Sequence, residues 1–422
     1  MGETMELRVH YGTGEQVVDI EGLDVEVATP EELGEVDERA ELTRALASPI
    51  ASPSLADFLA GADDAIVIVN DAKRATPTAR ILEHIADDLG GVENLTFIIA
   101  TGTHRESTPD EIAKILGNAP ARHNARVVVH DGRDPETLRC LGKTPRGTEV
   151  CFNKLVLDAS RIVIIGSVEP HYFAGFTGGR KAFLPGVAGY ETVCSNHSHT
   201  LLPGTHLMSL EGNPVHEDMM DAIALLGDRA IFSIMVVIDS DHRICGAFTG
   251  DMNGSFETAV ERSREVYSVD VSGKSEIVVA VALNPADSDL YQAHKAIESS
   301  KLALTRGGIL ILVAACGEGF GNDVFVEQLQ SAETPPDVAR NMTSKPGGEY
   351  AIGDHKSVKL AELVMESDVW MVTDLPRNTI EDMFFRPFRS VQEALDAALE
   401  IKGRDTHVLF LMDAANTVPR LS

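Results

Sequence analysis

Residues 167–199 read SVEPHYFAGFTGGRKAFLPGVAGYETVCSNHSH and hold four side chains equipped for chemistry: His171, Lys181, His197 and His199. Histidine exchanges a proton near neutral pH and ligates nickel, zinc or copper. Lysine serves as a phosphate ligand, as a point charge or, where neighbours such as Arg180 and Phe183 strip its water, as a nucleophile for covalent attachment. The sequence leaves those three roles of Lys181 open. Glycines at 166, 175, 178, 179, 186 and 189 let the backbone turn sharply and approach a ligand closely. His197 and His199, two residues apart, cannot share a helical face, so only one of them is expected at a metal.

Other stretches add to this inventory. His104, in ATGTHRE, is flanked by Gly102 and two threonines, a small nest suited to an anion and to acid/base work. Asp71 and Arg74 stand in DAKRATPT, where the guanidinium suits a carboxylate. Tyr291, Gln292, His294 and Lys295 in YQAHK, followed by GEGFG, offer a second set of groups able to hold a small carboxylate. Any one of these is explained as well by a solvated surface; their address in the chain decides otherwise.

That address comes from the elements. Short β-branched runs at 65–69, 96–100, 126–130 and 161–165 alternate with helical patterns, the layout of a parallel α/β sheet. The motifs follow three of these runs directly, so their residues emerge at strand carboxyl ends, where α/β proteins place ligands. Thr108, Pro109 and Glu111 have the spacing of a capped helix start. Residues 7–18 predict a hairpin with its turn at Gly12–Gly14. The βα pattern restarts at 277–282, 309–313 and 368–373. The expected fold class is therefore α/β, two α/β domains with a crevice between them: a cofactor-binding N-terminal domain of 1–254 and 404–422, and a C-terminal domain of 273–389. Helices within 255–272 and 390–403 are expected to connect the two and to act as hinges, with the strand at 407–411 returning to the first domain. Residues 331–350 are expected as a mobile surface segment.

Composition bounds the function classes. With 422 residues, two cores are expected; 36 Lys and Arg against 65 Asp and Glu give a net charge of −29, which argues against nucleic acid or an anionic membrane as partner. The five cysteines lack a CxxC pair, so neither a disulfide framework nor a structural zinc site is expected, and a reducing cytoplasm fits best. No apolar run is long enough to span a membrane, and MGETMELRVHYG lacks the basic-then-apolar signature, so no signal peptide is expected. HExxH and Walker A motifs are absent, which disfavours zinc proteolysis and P-loop ATP hydrolysis.

Together the motifs resemble the nickel-dependent lactate racemase family over nearly the whole chain, most specifically in EPHYFAGFTGGRKAFLPGVAG followed by NHS. The resemblance implies an isomerase that racemises or epimerises a 2-hydroxy acid with a nickel-pincer mononucleotide, pyridinium-3,5-bisthiocarboxylic acid mononucleotide nickel, covalently attached at Lys181. By position in the motifs, His197 is the nickel ligand, Asp71 belongs to the cofactor-binding set, and His104 and His171 are the acid/base pair. Arg74, Tyr291, Gln292 and Lys295 hold the substrate carboxylate. The α hydrogen of a 2-hydroxy acid is too weakly acidic for simple proton abstraction, and the family is understood to move it as hydride while a histidine takes the hydroxyl proton. Cofactor-building enzymes are implied as maturation partners. Lys73 and Ala75 depart from the family's usual Asp-x-Thr-Arg-Pro. Gly353, Asp354, His355 and Lys356 stand where the lactate enzymes carry an aromatic residue, and His355 and Lys356 suit a substrate larger or more polar than lactate. Two other readings use the same residues: a zinc hydrolase built on His104, His171 and His197, and a protein that binds an anionic nucleotide.

Overall fold

The β-branched runs form the strands of two separate sheets, one in each of two units: an inserted unit, Glu32–Val266, and a terminal unit made of Met1–Glu31 and Tyr267–Ser422. The computed structural model describes residues 5–30, 36–239, 242–343, 350–351 and 353–421.

In the inserted unit six strands lie in the order Ile244–Gly250, Ile231–Ile238, Ile162–Ser167, Asp64–Asn70, Asn94–Ala100, Arg126–Val129. All neighbours are parallel except the first pair. The chain runs from Asp64–Asn70 outward through 94 and 126, then crosses to Ile162–Ser167 and runs the other way. Strands Asp64–Asn70 and Ile162–Ser167 are therefore the point where the order reverses, and the crevice beyond their carboxyl ends is the position where open α/β sheets bind ligands. Both strands are buried almost throughout, which is why they read as continuous Val and Ile runs. The helix Pro109–Leu116 starts with the expected reciprocal cap: Thr108 Oγ1 accepts from Glu111 N–H (3.3 Å) and Glu111 Oε2 accepts from Thr108 N–H (2.8 Å).

The terminal unit carries a fully parallel sheet ordered Arg386–Phe388, Asp368–Val372, Leu304–Val313, Ser275–Val281, Val408–Leu411, Val25–Ala28. Apolar layers cover both its faces. The hairpin Glu6–Tyr11 with Gly14–Asp19 forms as expected and packs Val9 and Val18 into one of them.

Three expectations are corrected here. Val408–Leu411 does not return to the first domain: it pairs with Ser275–Val281 and Val25–Ala28, so residues 404–422 and the amino-terminal segment both belong to the terminal unit. The helix Val391–Lys402 has its expected Ser390 cap and Gly403 stop (φ +99°), yet it is no connector; Val391, Ala394, Leu395, Ala398 and Leu399 are buried against the terminal sheet. The chain passes between units at 31/32 and at 266/267, and only the second passage coincides with an expected connector, the helix Met252–Tyr267. Third, Cys140 and Cys151, opposite each other in the antiparallel pair Leu138–Lys143 and Glu149–Asn153, are joined in a disulfide. A register contact between two strands cannot be seen in cysteine spacing. Of residues 331–350, the stretch Pro335–Thr343 is helical and 344–349 lie outside the described residues. Among the described residues no helix is long and apolar enough to cross a membrane.

Candidate active site

The inserted unit holds an open cavity at the carboxyl ends of its central strands, where the strand order reverses. Asn70, Asp71, Arg74, Gly102, His104 and Lys181 line it, with Gly166, Gly178, Gly179 and Gly186 supplying much of the backbone wall. The turn that presents Lys181 depends on left-handed backbone at Gly178 (φ +80°) and Gly179 (φ +51°), and a Cβ on Gly179 would lie 2.8 Å from the Phe256 ring. Lys181 N–H bonds back to Gly178 O (3.0 Å), its own carbonyl accepts from Gly186 N–H (3.1 Å), and Gly102 N–H donates to Gly186 O (3.0 Å). Two motifs distant in sequence thus share one rim.

Asp71 and His104 form a close pair. The buried carboxylate's Oδ2 lies 2.6 Å from His104 Nδ1, while the imidazole is 43% exposed at its side chain. A carboxylate accepts, so Nδ1 carries the proton and Nε2 presents its lone pair. Asp71 Oδ1 accepts from Lys73 N–H (3.3 Å) and Arg74 N–H donates to Asp71 O (3.2 Å), so the turn closes despite the substitutions at 73 and 75. Below it runs a relay: Asn70 Nδ2 to Thr76 Oγ1 (2.7 Å), Thr76 to Ser167 Oγ (2.8 Å), Ser167 to Glu169 Oε1 (2.6 Å). This relay fastens the first motif to the strand end that leads to His171.

His171 and His197 do not line the cavity; aromatic contacts connect them to Lys181. The Phe173 ring lies 4.5 Å from that of His171 and 4.9 Å from that of His197, and Lys181 Nζ stands 5.5 Å from its centroid. His171 Nδ1 accepts from Ala174 N–H (3.3 Å) inside the short hairpin Pro170–His171 and Gly175–Phe176. His197, on the helix Tyr190–Ser198, is buried, and that burial, with Lys181 and His104 nearby, holds its pKa down at about 3. An uncharged imidazole is the form that binds metal. His199 faces Thr148 (3.4 Å) and Asp218 (3.6 Å) instead, in a structural role. Arg180 is wholly buried, donates to Ala174 O (2.6 Å) and lies over Phe256 (4.5 Å), which makes it a fastener of the loop.

The remaining expected residues belong to the terminal unit. On the helix Leu290–Ser300, capped by Asp289 accepting from Gln292 N–H (2.8 Å), Leu290, Ala293, Ala296 and Ile297 are buried. Tyr291, Gln292 and Lys295 fall on its less buried side, four and three residues apart. Lys356 is buried with Nζ donating to Tyr291 O (2.6 Å) and 3.2 Å from the Tyr291 ring centroid. Burial and Lys295 hold its pKa well below the usual lysine value. His355 is likewise buried and bonds through Nδ1 to Tyr350 Oη. Both contacts lie within the terminal unit, and that of Lys356 is to Tyr291, one of the residues expected to hold a carboxylate.

Among the described residues no group of three or more His, Cys, Asp or Glu is placed to hold a metal ion. A metal held by protein donors alone, as the zinc hydrolase reading requires of His104, His171 and His197, has no ligand set here. One buried neutral imidazole beside a buried lysine and a glycine-walled cavity fits a different case, an organic group that brings most of the metal's ligands with it and needs one from the protein. Sequence reading missed Phe173, Asn196 and Asp218. Asn196 precedes His197 in the motif, whereas nothing local marks Asp218.

The description "Lactate racemase N-terminal domain" matches residues 11–207 and "Lactate racemase C-terminal domain" matches 269–418. A lactate racemase of Thermoanaerobacterium thermosaccharolyticum is 30% identical over 383 residues, covering 89% of each chain. One of Lactiplantibacillus plantarum is 27% identical over 396 residues, covering 91% of each. The structure of the lactate racemase apoprotein from T. thermosaccharolyticum superposes with a TM-score of 0.90 at 29% identity, over 99% of this chain and all (100%) of that one. A Thermotoga maritima protein shares the fold alone, with a TM-score of 0.72 at 18% identity over 92% of this chain and 99% of that one.

Proposed function

Because the chain belongs to the lactate racemase family, and is on that ground an isomerase, we propose that it inverts the α carbon of a 2-hydroxy acid using a nickel-pincer nucleotide tethered at Lys181. The observation that carries this reading is one cavity lined by Lys181 together with the Asp71–His104 pair. When bound, the group supplies an acceptor for the α hydrogen, which a side chain could not remove as a proton. Lys181 and His197 would hold it.

The chain's own residues do the rest. His104, with its proton kept on Nδ1 by Asp71, offers Nε2 to the substrate hydroxyl and takes its proton. Asp71 stabilises the imidazolium that results, as an acidic partner does for any buried-side general base. By its place in the motif His171 is assigned the opposite proton transfer, returning a proton to the carbonyl oxygen; it lies outside the cavity lining, against the Phe173 ring that Lys181 also faces. Arg74, on the cavity wall, is the group there that suits a substrate carboxylate, and in the terminal unit Tyr291, Gln292 and Lys295 are the carboxylate-holding residues that the resemblance assigns. The cavity's glycine walls permit close approach of the tethered group and leave the side-chain chemistry to the two motifs.

The substrate is a small anionic 2-hydroxy acid, and loading depends on cofactor-building enzymes as maturation partners. The test is intact mass and nickel content of protein co-produced with those enzymes, followed by α-deuterium exchange over a panel running from lactate to dicarboxylic and polyhydroxylated 2-hydroxy acids. A mass increment on Lys181, bound nickel and exchange in one panel member are expected. Nickel-loaded protein that exchanges none of them would overturn the reading.

A further inference from the structure

The buried carboxylate Asp218, on the helix Pro214–Ala224, is fully enclosed; among the described residues no arginine or lysine is bonded to it, and its basic neighbour is His199, with Nε2 3.6 Å from Oδ2. Its oxygens instead accept from Thr144 Oγ1 (2.5 Å), Thr148 Oγ1 (2.8 Å) and Asn196 Nδ2 (2.8 Å). The third of these matters for the neighbouring histidine. An amide has one donating and one accepting end, and a buried network fixes which way it faces. Asn196 Nδ2 points at two pure acceptors, Asp218 Oδ2 and Val215 O (3.1 Å), so its Oδ1 is the end that faces His197 Nδ1 at 3.2 Å. An amide oxygen only accepts. Nδ1 of His197 must therefore carry the proton, and Nε2 is left with the lone pair.

We propose that Asp218 is a positioning residue that, through the Asn196 amide, locks His197 in the Nδ1–H tautomer and so presents Nε2 as the ligand atom for the metal. The relay resembles in its logic the carboxylate or carbonyl partners that orient metal-bound histidines generally, with an amide interposed. Its use in this chain rests on the reading above that His197 holds the metal, whereas the tautomer itself is a property of the protein before any group is loaded. Thr144 and Thr148, from the disulfide-closed hairpin, complete the carboxylate's shell and keep it from turning away.

The experiment is long-range nitrogen–proton NMR on full-length protein labelled with nitrogen-15 in histidine and made without the cofactor enzymes, with His197 assigned by difference against His197→Gln. Wild type is expected to show a protonated Nδ1 and an unprotonated Nε2. Asp218→Asn removes the charged acceptor and leaves Val215 O as the one pure acceptor orienting the Asn196 amide, and Asn196→Ala removes the acceptor of the His197 proton outright. Each is expected to shift the tautomer ratio toward Nε2–H by roughly tenfold, the worth of about one net hydrogen bond. Should Asp218→Asn not fold, Asn196→Ala and the wild-type spectrum carry the test. In matured protein, Asp218→Asn is expected to keep the Lys181 mass increment while losing nickel to a chelator about 10–100-fold more readily. A wild-type His197 protonated on Nε2, or a tautomer unchanged in folded variants, overturns the proposal even if nickel is bound. Matured wild type without nickel would instead sink the functional reading, and the spectra of unloaded protein would still decide the relay.

Discussion

At the scale of single residues, the site depends on which nitrogen of each histidine holds a proton. Asp71 sets this for His104 at 2.6 Å, so Asp71→Asn is expected to lower the rate of α-deuterium exchange by about 10²–10⁴ while the mass increment on Lys181 persists. An unchanged exchange rate would remove Asp71 from the mechanism. A second prediction concerns His294, buried on the helix Leu290–Ser300 with Nε2 3.6 Å from Glu298. Burial, then the charges of Lys356, Lys301 and Lys359, keep its pKa well below 6.5. Folded protein therefore leaves it neutral where the unfolded chain would protonate it, and stability is lost as pH falls below about 6.5, by at most about 1.4 kcal/mol per pH unit. Urea denaturation from pH 7 to 5 should show this acid limb, to which His197 and His216, held by burial at about 3, add their own shares, and His294→Gln should lessen the slope by one histidine's share. The reactive side chains were legible because Gly-rich loops after strands mark them. Asp71 was legible as a candidate and lines the cavity, but its pairing with His104 was not legible, and Asp218 was not legible at all, since its contacts to Thr144, Thr148 and Asn196 arise from tertiary packing across 74, 70 and 22 residues.

Elements set how far such side chains can be trusted to stay in place. Gly186 sits where a Cβ would meet Ala182 O at 2.2 Å, a backbone atom that cannot yield without moving the turn that carries Lys181. Gly186→Ala is expected to abolish the mass increment on Lys181 in matured protein while leaving the far-ultraviolet circular dichroism largely intact; normal loading would show that the turn tolerates the shift. The helix Val391–Lys402 gives the opposite kind of prediction. Leu395 is fully buried in the core against the terminal sheet, so Leu395→Ala should cost about 2–5 kcal/mol by urea denaturation, whereas a solvent-facing connector would lose little. Strand positions, the hairpin and the caps at Thr108 and Ser390 could all be read from local pattern, because propensity and capping act within a few residues. The placement of Val408–Leu411 could not. A short buried strand looks alike beside any sheet, and only its register with Ser275–Val281 and Val25–Ala28 tells which one it joins.

Over the whole molecule the net charge of −29 is the dominant long-range fact. Many arginines already have a carboxylate close by, such as Arg44 with Glu41, Arg105 with Glu111 and Arg420 with Asp270, so the acidic excess repels itself across the surface. Raising potassium chloride from about 0.1 M to 1 M shortens the screening length from about 10 Å to about 3 Å. The thermal midpoint is expected to rise over that range; a flat or falling midpoint would mean that the surface pairs, which salt weakens, outweigh the repulsion. The insertion of residues 32–266 between two parts of the terminal unit bears on how the chain is made. During synthesis Val25–Ala28 leaves the ribosome early, yet the strand it lies beside, Val408–Leu411, is among the last to appear. For nearly the whole of translation that first segment waits without its neighbour, whereas the cavity-bearing unit has every residue it needs once residue 266 has emerged.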